Sequence, residues 1–228
     1  MSLSQNLENI QHTLPAHVRL IVVSKNQSVG AIEELYHAGQ RDFGENKIQE
    51  LYEKDQATQH LSDIRWHMIG HIQTNKLKKL LSISRLQNIH SVDREELLHQ
   101  LEKLQSSISN PGRIGLFWEI NLTKDNTKYG FKSLEAVKSL LGQYSRLPKF
   151  YYQGFMCMGP SQDDEHLTQT QQIFYTMKEV KDSWTKDAFY KTFFPFGIHL
   201  SMGMSHDYVL AIQAGSDNIR VGSKVFSK

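Results

Sequence analysis

Lys25 is the first residue of this chain that could do chemistry by virtue of its position. It follows Leu20-Ile21-Val22-Val23-Ser24, an apolar and largely β-branched run closed by a serine. Such a run reads as a strand buried on both faces of a parallel sheet. A lysine at its end either snorkels to water or acts as an amine nucleophile. On this stretch alone a solvated lysine is the simpler reading. Two later stretches add partners. Ser201-Met202-Gly203-Met204-Ser205 offers a glycine for close backbone approach and two hydroxyls, and Gly222-Ser223 offers backbone N–H groups and a third hydroxyl. Both are features of phosphate cradles at helix N-termini. Between them, Arg220 sits in Ile219-Arg220-Val221. By strand alternation Arg220 and Gly222 share the face opposite to Ile219 and Val221.

The elements that must position these residues follow from periodicity and turn signals. Ser2–Leu14 reads as an N-terminal helix closed by Pro15. Strands are expected at Leu20–Ser24, Asp42–Glu45, Arg65–Ile69, Asn88–Val92, Ile114–Leu122, Gly154–Met158, Gly197–Leu200 and Asn218–Val221. Helices alternate with them at Ser28–Ala38, Lys47–Lys54, Leu77–Leu81, Asp93–Leu104, Ser133–Leu141, Asp163–Trp184 and Asp207–Ala214, and the last helix is stunted or absent. Strict alternation implies a parallel sheet. Eight units without a linker imply one α/β domain over residues 1–228, a (β/α)8 TIM-type barrel with an extra N-terminal helix. The rival, an open doubly wound sheet, lacks its Gly-x-Gly-x-x-Gly fingerprint after the first strand.

Composition narrows the function classes. Lysine and arginine total 26 against 24 aspartate and glutamate, and no basic stripe appears, so nucleic acid is not suggested. The Lys76, Lys78, Lys79 cluster reads as a solvated helix face. Cys157 is the only cysteine, which excludes an intramolecular disulfide and suits a reducing cytoplasm. The polar Met1–Gln11 is not a signal peptide, and no apolar run reaches the length of a membrane span.

In a barrel the chemistry belongs at the C-terminal ends of the strands, with phosphate after strands seven and eight. The seventh and eighth strands deliver Ser201–Ser205 and Arg220–Ser223 there, and the first delivers Lys25. A phosphate site opposite a strand-end lysine suits pyridoxal 5′-phosphate held as a Schiff base. Arg220 would then face the pyridine nitrogen; an arginine can only donate, so it keeps that nitrogen unprotonated and the ring a poor electron sink. Ser205 has a second reading as a helix N-cap beside Asp207. Two other constellations carry less. His67 and His71 have helical metal-ligand spacing, but Gly70 and the strand-like Trp66–Ile69 argue against a helix, so no metal is expected. Cys157, between Met156 and Met158, reads as a buried, inert thiol.

At this point the chain resembles the pyridoxal phosphate homeostasis proteins, the YggS/PROSC-like group. The matching stretches are Val22-Val23-Ser24-Lys25, Phe43-Gly44-Glu45-Asn46, Trp66–Gln73, Ile89–Asp93, Leu200–Ser205 and Ile219–Ser223, in the family's order. The resemblance implies a fold-type III barrel related to the N-terminal domain of alanine racemase, with Lys25 forming the internal aldimine. It also implies that Asn46 lies beside the ring, that Ser201 and Met202 line the phosphate side with Ser205 close by, that Arg220 meets the pyridine nitrogen, and that Gly222 and Ser223 bind phosphate. His71 falls near the site, and Asn121, Lys128 and Gly130 match a family loop. Ser223 stands where the family usually has threonine, and Trp184–Phe196 shows no family pattern.

Two functions follow from the resemblance. The first is a non-enzymatic cofactor carrier that binds pyridoxal phosphate, buffers the free aldehyde in the cytoplasm and delivers it to apoenzymes. The second is an amino-acid racemase of the alanine racemase type. Racemisation needs a base on each face, and the racemases' second base comes from a further domain that does not follow this barrel. The same difference suggests a monomer, with no catalytic residue assigned.

Overall fold

The computed structural model describes residues 2–108, 110–123, 125, 127–160 and 167–227. Eight parallel strands close into a barrel in sequence order: β1 (Arg19–Val23), β2 (Asp42–Glu45), β3 (Arg65–Met68), β4 (Leu86–Val92), β5 (Ile114–Ile120), β6 (Phe150–Cys157), β7 (His199–Ser201) and β8 (Asn218–Val221). β1 pairs with both β2 and β8, which completes the ring. The helices α1 (Leu3–His12), α2 (Val29–His37), α3 (Ile48–Ala57), α4 (Leu77–Leu81), α5 (Glu95–Leu104), α6 (Leu134–Gln143), α7 (Leu167–Lys186), α8 (Ala188–Lys191), α9 (Tyr208–Gln213) and α10 (Ser223–Phe226) surround it.

The barrel and its N-terminal helix agree with the expectation from alternation. Serine caps explain several helix starts: Ser2, Ser28 and Ser133 each accept a backbone N–H with the side-chain oxygen. α1 is tied to the chain's other end, because Asn6 Nδ2 donates to the carbonyls of Val225 (3.1 Å) and Ser227 (2.7 Å). The expected stunted last helix is α10, a single turn. α7 begins at Leu167 and runs past Trp184 to Lys186; the expected start at Asp163–His166 lies outside the described residues. The aromatic stretch 184–196 packs on the barrel wall, with Trp184 stacked on Tyr190 at 3.8 Å and set edge-on to Phe155.

Alternation sorts the strand residues into two sets. Leu20 and Val22 of β1, Leu116, Trp118 and Ile120 of β5, and Ile219 and Val221 of β8 join the apolar layer between sheet and helices. The residues between them point into the barrel. Ile21, Phe117 and Met156 are fully buried yet outside that layer. Gly44 faces inward too, since a Cβ there would stand 3.0 Å from Ile21 Cγ2. Asp42, His67, His90, Glu119, Ser201 and Arg220 belong to this inward set.

Candidate functional site

The turn after β1 fixes Lys25 by its backbone and leaves its side chain free. Ser24 faces outward and donates its hydroxyl to Glu45 Oε1 at 2.6 Å. Lys54 of α3 donates to the same oxygen and to the Ser24 carbonyl, both at 2.7 Å. Asn26 takes the left-handed conformation, φ 60°, which asparagine tolerates, and its N–H donates to Glu50 Oε2 at 3.2 Å. Ser24 faces out, so Lys25 rises on the inner side of the mouth. It is exposed, and no hydrogen bond or ion pair engages its ammonium among the described residues.

Neighbouring strand ends converge on Lys25. Asn46, at the end of β2, is exposed, and its backbone presses on Gly70, where a Cβ would lie 2.3 Å from the Asn46 carbonyl oxygen. Gly222, at the end of β8, packs on β1, with its Cβ position 3.1 Å from the Val23 carbonyl oxygen. Its N–H donates to Ser205 Oγ at 3.3 Å, which joins the loops after β7 and β8. The N-cap reading of Ser205 is thereby corrected. Asp207 precedes α9, and its carboxylate accepts the Met204 N–H at 2.5 Å. Ser223 opens α10 with an exposed hydroxyl.

Arg220 is nine-tenths buried at the same mouth. Its Nη1 donates to the Ser201 carbonyl (2.7 Å) and Oγ (2.6 Å), and its Nη2 to the Cys157 carbonyl (3.3 Å). A guanidinium carries five N–H donors, so two have no partner among the described residues. The Ser201 hydroxyl therefore serves Arg220 directly. Met202 turns the other way: its side chain lies in the outer apolar layer, and its N–H donates to the Asn218 carbonyl and Ser216 Oγ. Of the expected residues, Lys25, Asn46, Ser205, Arg220, Gly222 and Ser223 gather at one mouth, Ser201 supports Arg220, and Met202 reaches the site only through backbone.

Beneath Arg220 a hydrogen-bond chain runs through the barrel. Ser201 Oγ meets His90 Nδ1 at 2.9 Å, His90 Nε2 meets His67 Nδ1 at 3.0 Å, and His67 Nε2 meets Asp42 Oδ1 at 2.9 Å. Arg65 closes the far end with two bonds to Asp42. Burial raises Asp42, but the bonds from His67 and Arg65 outweigh it and hold the carboxylate well below its ordinary range. Burial keeps His67 and His90 neutral; for His90 the positive charges of Arg220 and Arg19 act in the same direction. One proton arrangement satisfies all of this. Asp42 only accepts, so His67 carries its proton on Nε2; His67 Nδ1 then accepts from His90 Nε2–H, and His90 Nδ1 accepts the Ser201 hydroxyl. The chain leaves Ser201 Oγ a lone pair aimed at Arg220.

Sequence reasoning missed this chain, because strand-internal histidines resemble any buried polar residue. It also missed Glu119, the one charged residue of the apolar β5. His71 pairs with Asp93 at 2.5 Å and stacks on Tyr129 at 3.7 Å, near the mouth as expected. Lys128 donates to the carbonyls of Gly159 and Pro160, tying the loops after β5 and β6, while Asn121 organises the first of these through Thr123 and the Lys128 carbonyl. Cys157 is buried, with its thiol pushed up to about 12 by burial. Among the described residues no cluster fits a metal ion.

The fold and mouth define a single (β/α)8 barrel with a lysine just past its first strand, unpartnered among the described residues, and a buried arginine on its last. The sequence profile of the alanine racemase N-terminal domain matches residues 1–227. A pyridoxal phosphate homeostasis protein of Schizosaccharomyces pombe is 33% identical over 92% of this chain and 84% of its own. PipY of Synechococcus elongatus, solved with pyridoxal phosphate bound, is 31% identical with a TM-score of 0.85, covering 99% of this chain and 100% of its own. Alanine racemase from E. faecalis, 13% identical with a TM-score of 0.72, shares the fold; this chain covers 57% of it. The chain belongs to the alanine racemase N-terminal domain family and, within it, to the pyridoxal phosphate homeostasis proteins. No helix of the described residues is long and apolar enough to cross a membrane.

Proposed function

We propose that this protein binds pyridoxal 5′-phosphate at the C-terminal mouth of the barrel and holds it covalently through Lys25 Nζ. The observation that carries this is the convergence of a primary amine just past β1 with a buried guanidinium on β8, the amine unpartnered and the guanidinium keeping two N–H donors free among the described residues. When bound, the cofactor supplies an aldehyde that condenses reversibly with a primary amine, with loss of water. Arg220 would donate to the ring nitrogen and keep it unprotonated, and Ser201 would hold Arg220 in place. Asn46 would lie beside the ring. Gly222, Ser223 and Ser205, joined across the last two loops, would hold the phosphate, and Met202 would shape that loop from its outer side.

The role that fits is cofactor homeostasis: the protein buffers the reactive aldehyde and hands it to apoenzymes in the cytoplasm, as a monomer. The names of the relatives support the homeostasis role, and Arg220 supports the absence of turnover, since an unprotonated ring is a poor electron sink. The test is to load the purified protein, reduce with borohydride and map the adduct by peptide mass. A phosphopyridoxyl group on Lys25, absent in Lys25→Ala, is expected, with no racemisation across an amino-acid panel. An unmodified wild-type protein would overturn cofactor binding, and rapid racemisation of a defined amino acid would overturn the carrier role.

A further inference from the structure

Glu119 is the buried charge that the function above leaves without a role. Gly115, Phe117 and Glu119 are the inward residues of β5: Leu116, Trp118 and Ile120 face the helices, and Phe117 stacks on His90 at 4.3 Å inside the barrel. Glu119 stands one inward position nearer the mouth than Phe117. It shares a hydrogen-bonded row with Met156 of β6 and Ser201 of β7, the serine that holds Arg220. The residue is 5% exposed, and no hydrogen bond or ion pair engages its carboxyl among the described residues. Neither oxygen is among the fully enclosed unbonded atoms of the described residues, so the 5% that stays exposed includes the carboxyl itself, and it faces the open mouth where a bound ligand would meet it.

The charged surroundings decide which form of Glu119 that ligand meets. On the side of β4, the negative charge of Asp93 opposes ionisation of Glu119; Asp93 is itself tied to His71 and Arg94. On β8, Arg220 favours ionisation. Met156 on β6 and Ser201 on β7 bring no charge, and the neutral His90 lies below. Lys25 follows β1, four strands away around the ring. Burial is the largest effect and Asp93 adds to it, so that the carboxyl is pushed up to about 7. In the open site it is poised between its two forms at neutral pH.

We propose that Glu119 is a cofactor-facing carboxyl that is protonated when the site is filled, so that loading takes up a proton there and alkaline solution favours release. This rests on the pyridoxal phosphate reading. The reason is electrostatic. The cofactor would bring a phosphate of nearly two negative charges, and its bulk in the mouth would displace water from the carboxyl. Both effects disfavour a carboxylate. A protonated Glu119 is also a donor, which an anion's oxygen can accept from.

The sign follows from linkage. Binding that favours the protonated form weakens as pH rises past the open-site value. From pH 6.5 to 8.5 the wild-type Kd for pyridoxal phosphate should rise by up to about 25-fold through this group alone. The Glu119→Gln variant keeps shape and hydrogen-bonding capacity but cannot ionise. All other groups of protein and ligand are common to the two proteins. The ratio of the two dissociation constants should therefore change with pH, with the variant binding more tightly above pH 8. Kd is read by equilibrium dialysis across this range, with the bound absorption recorded alongside. A measurement on wild-type protein labelled with 13C at glutamate carboxyl carbons needs no variant to fold. One buried resonance should titrate near neutrality without cofactor and stay in its protonated position at pH 8 with it. Parallel pH profiles in the two proteins, or a resonance unmoved by loading, would overturn the role of Glu119. Absence of any Lys25 adduct in wild type would overturn the cofactor reading itself, a separate outcome.

Discussion

His90→Gln tests the buried hydrogen-bond chain through its pH dependence. His90 is fully buried, and burial with the neighbouring positive charges holds it well below the ordinary histidine value. In the unfolded chain it titrates near ~6.5. Below that pH the unfolded state binds a proton that the folded state does not, so stability falls as pH falls. The loss begins at the unfolded value and continues down until His90 itself is protonated in the fold. Between pH 7 and pH 5.5 it amounts to about 1.2 kcal/mol for this one group. His67 contributes in the same direction but less, because its bond to Asp42 opposes the effect of burial. Asp42 has the opposite kind of history. Its depressed value stabilises the fold at all pH above the unfolded ~3.9 and is lost only below it, outside this window. Glutamine keeps a donor and an acceptor for Ser201 and His67 but does not titrate. The variant will be less stable at pH 7, yet its further loss at pH 5.5 should be smaller than wild type's by about 1.2 kcal/mol. Urea unfolding at the two pH values, with m unchanged, measures this. Curves that run parallel would show that His90 is not held neutral in the fold, and the proton order derived for the chain would fail with it.

Lys54→Met should cost ~3–5 kcal/mol in urea unfolding, because it leaves Glu45 buried with its charge unpaired and its second oxygen already without a partner. Adding Glu45→Gln should restore part of that loss. Gly70→Ala should cost ~1–3 kcal/mol and weaken cofactor binding, since the new Cβ would displace the backbone of Asn46. A fluorescence titration with pyridoxal phosphate beside the unfolding curve reads both effects. Cys157, buried with its thiol pushed up to about 12, should resist a thiol-specific reagent in the folded protein and react fully in denaturant.

Much of the site was legible because it sits on strand ends. The expected strand Leu20–Ser24 differs from β1 by a single residue at each end, and that register alone places Lys25 at the mouth. Arg220 was readable from the branched residues flanking it, which hold a strand and turn the arginine inward. Ser205 carried two readings in the sequence because an N-cap and a loop-to-loop bond use the same hydroxyl, and only the approach of Gly222 decides between them. Ser201 and Met202 are adjacent in a strand end, so one had to face in and the other out, a choice that depends on the register with Arg220.

The sequence by itself determined the barrel, its N-terminal helix and the lysine–arginine pair, because hydrophobic period and turn chemistry are local properties of the chain. Only the tertiary structure decided what those residues touch. The Arg65–Asp42–His67–His90–Ser201–Arg220 chain joins residues up to 111 positions apart at a single bond, and no local pattern encodes such a meeting. Glu119 shows the same division. Its charge is plain in the sequence, but its burial, its lack of a partner and its place beside Asp93 and Arg220 exist only once eight strands have closed into a ring.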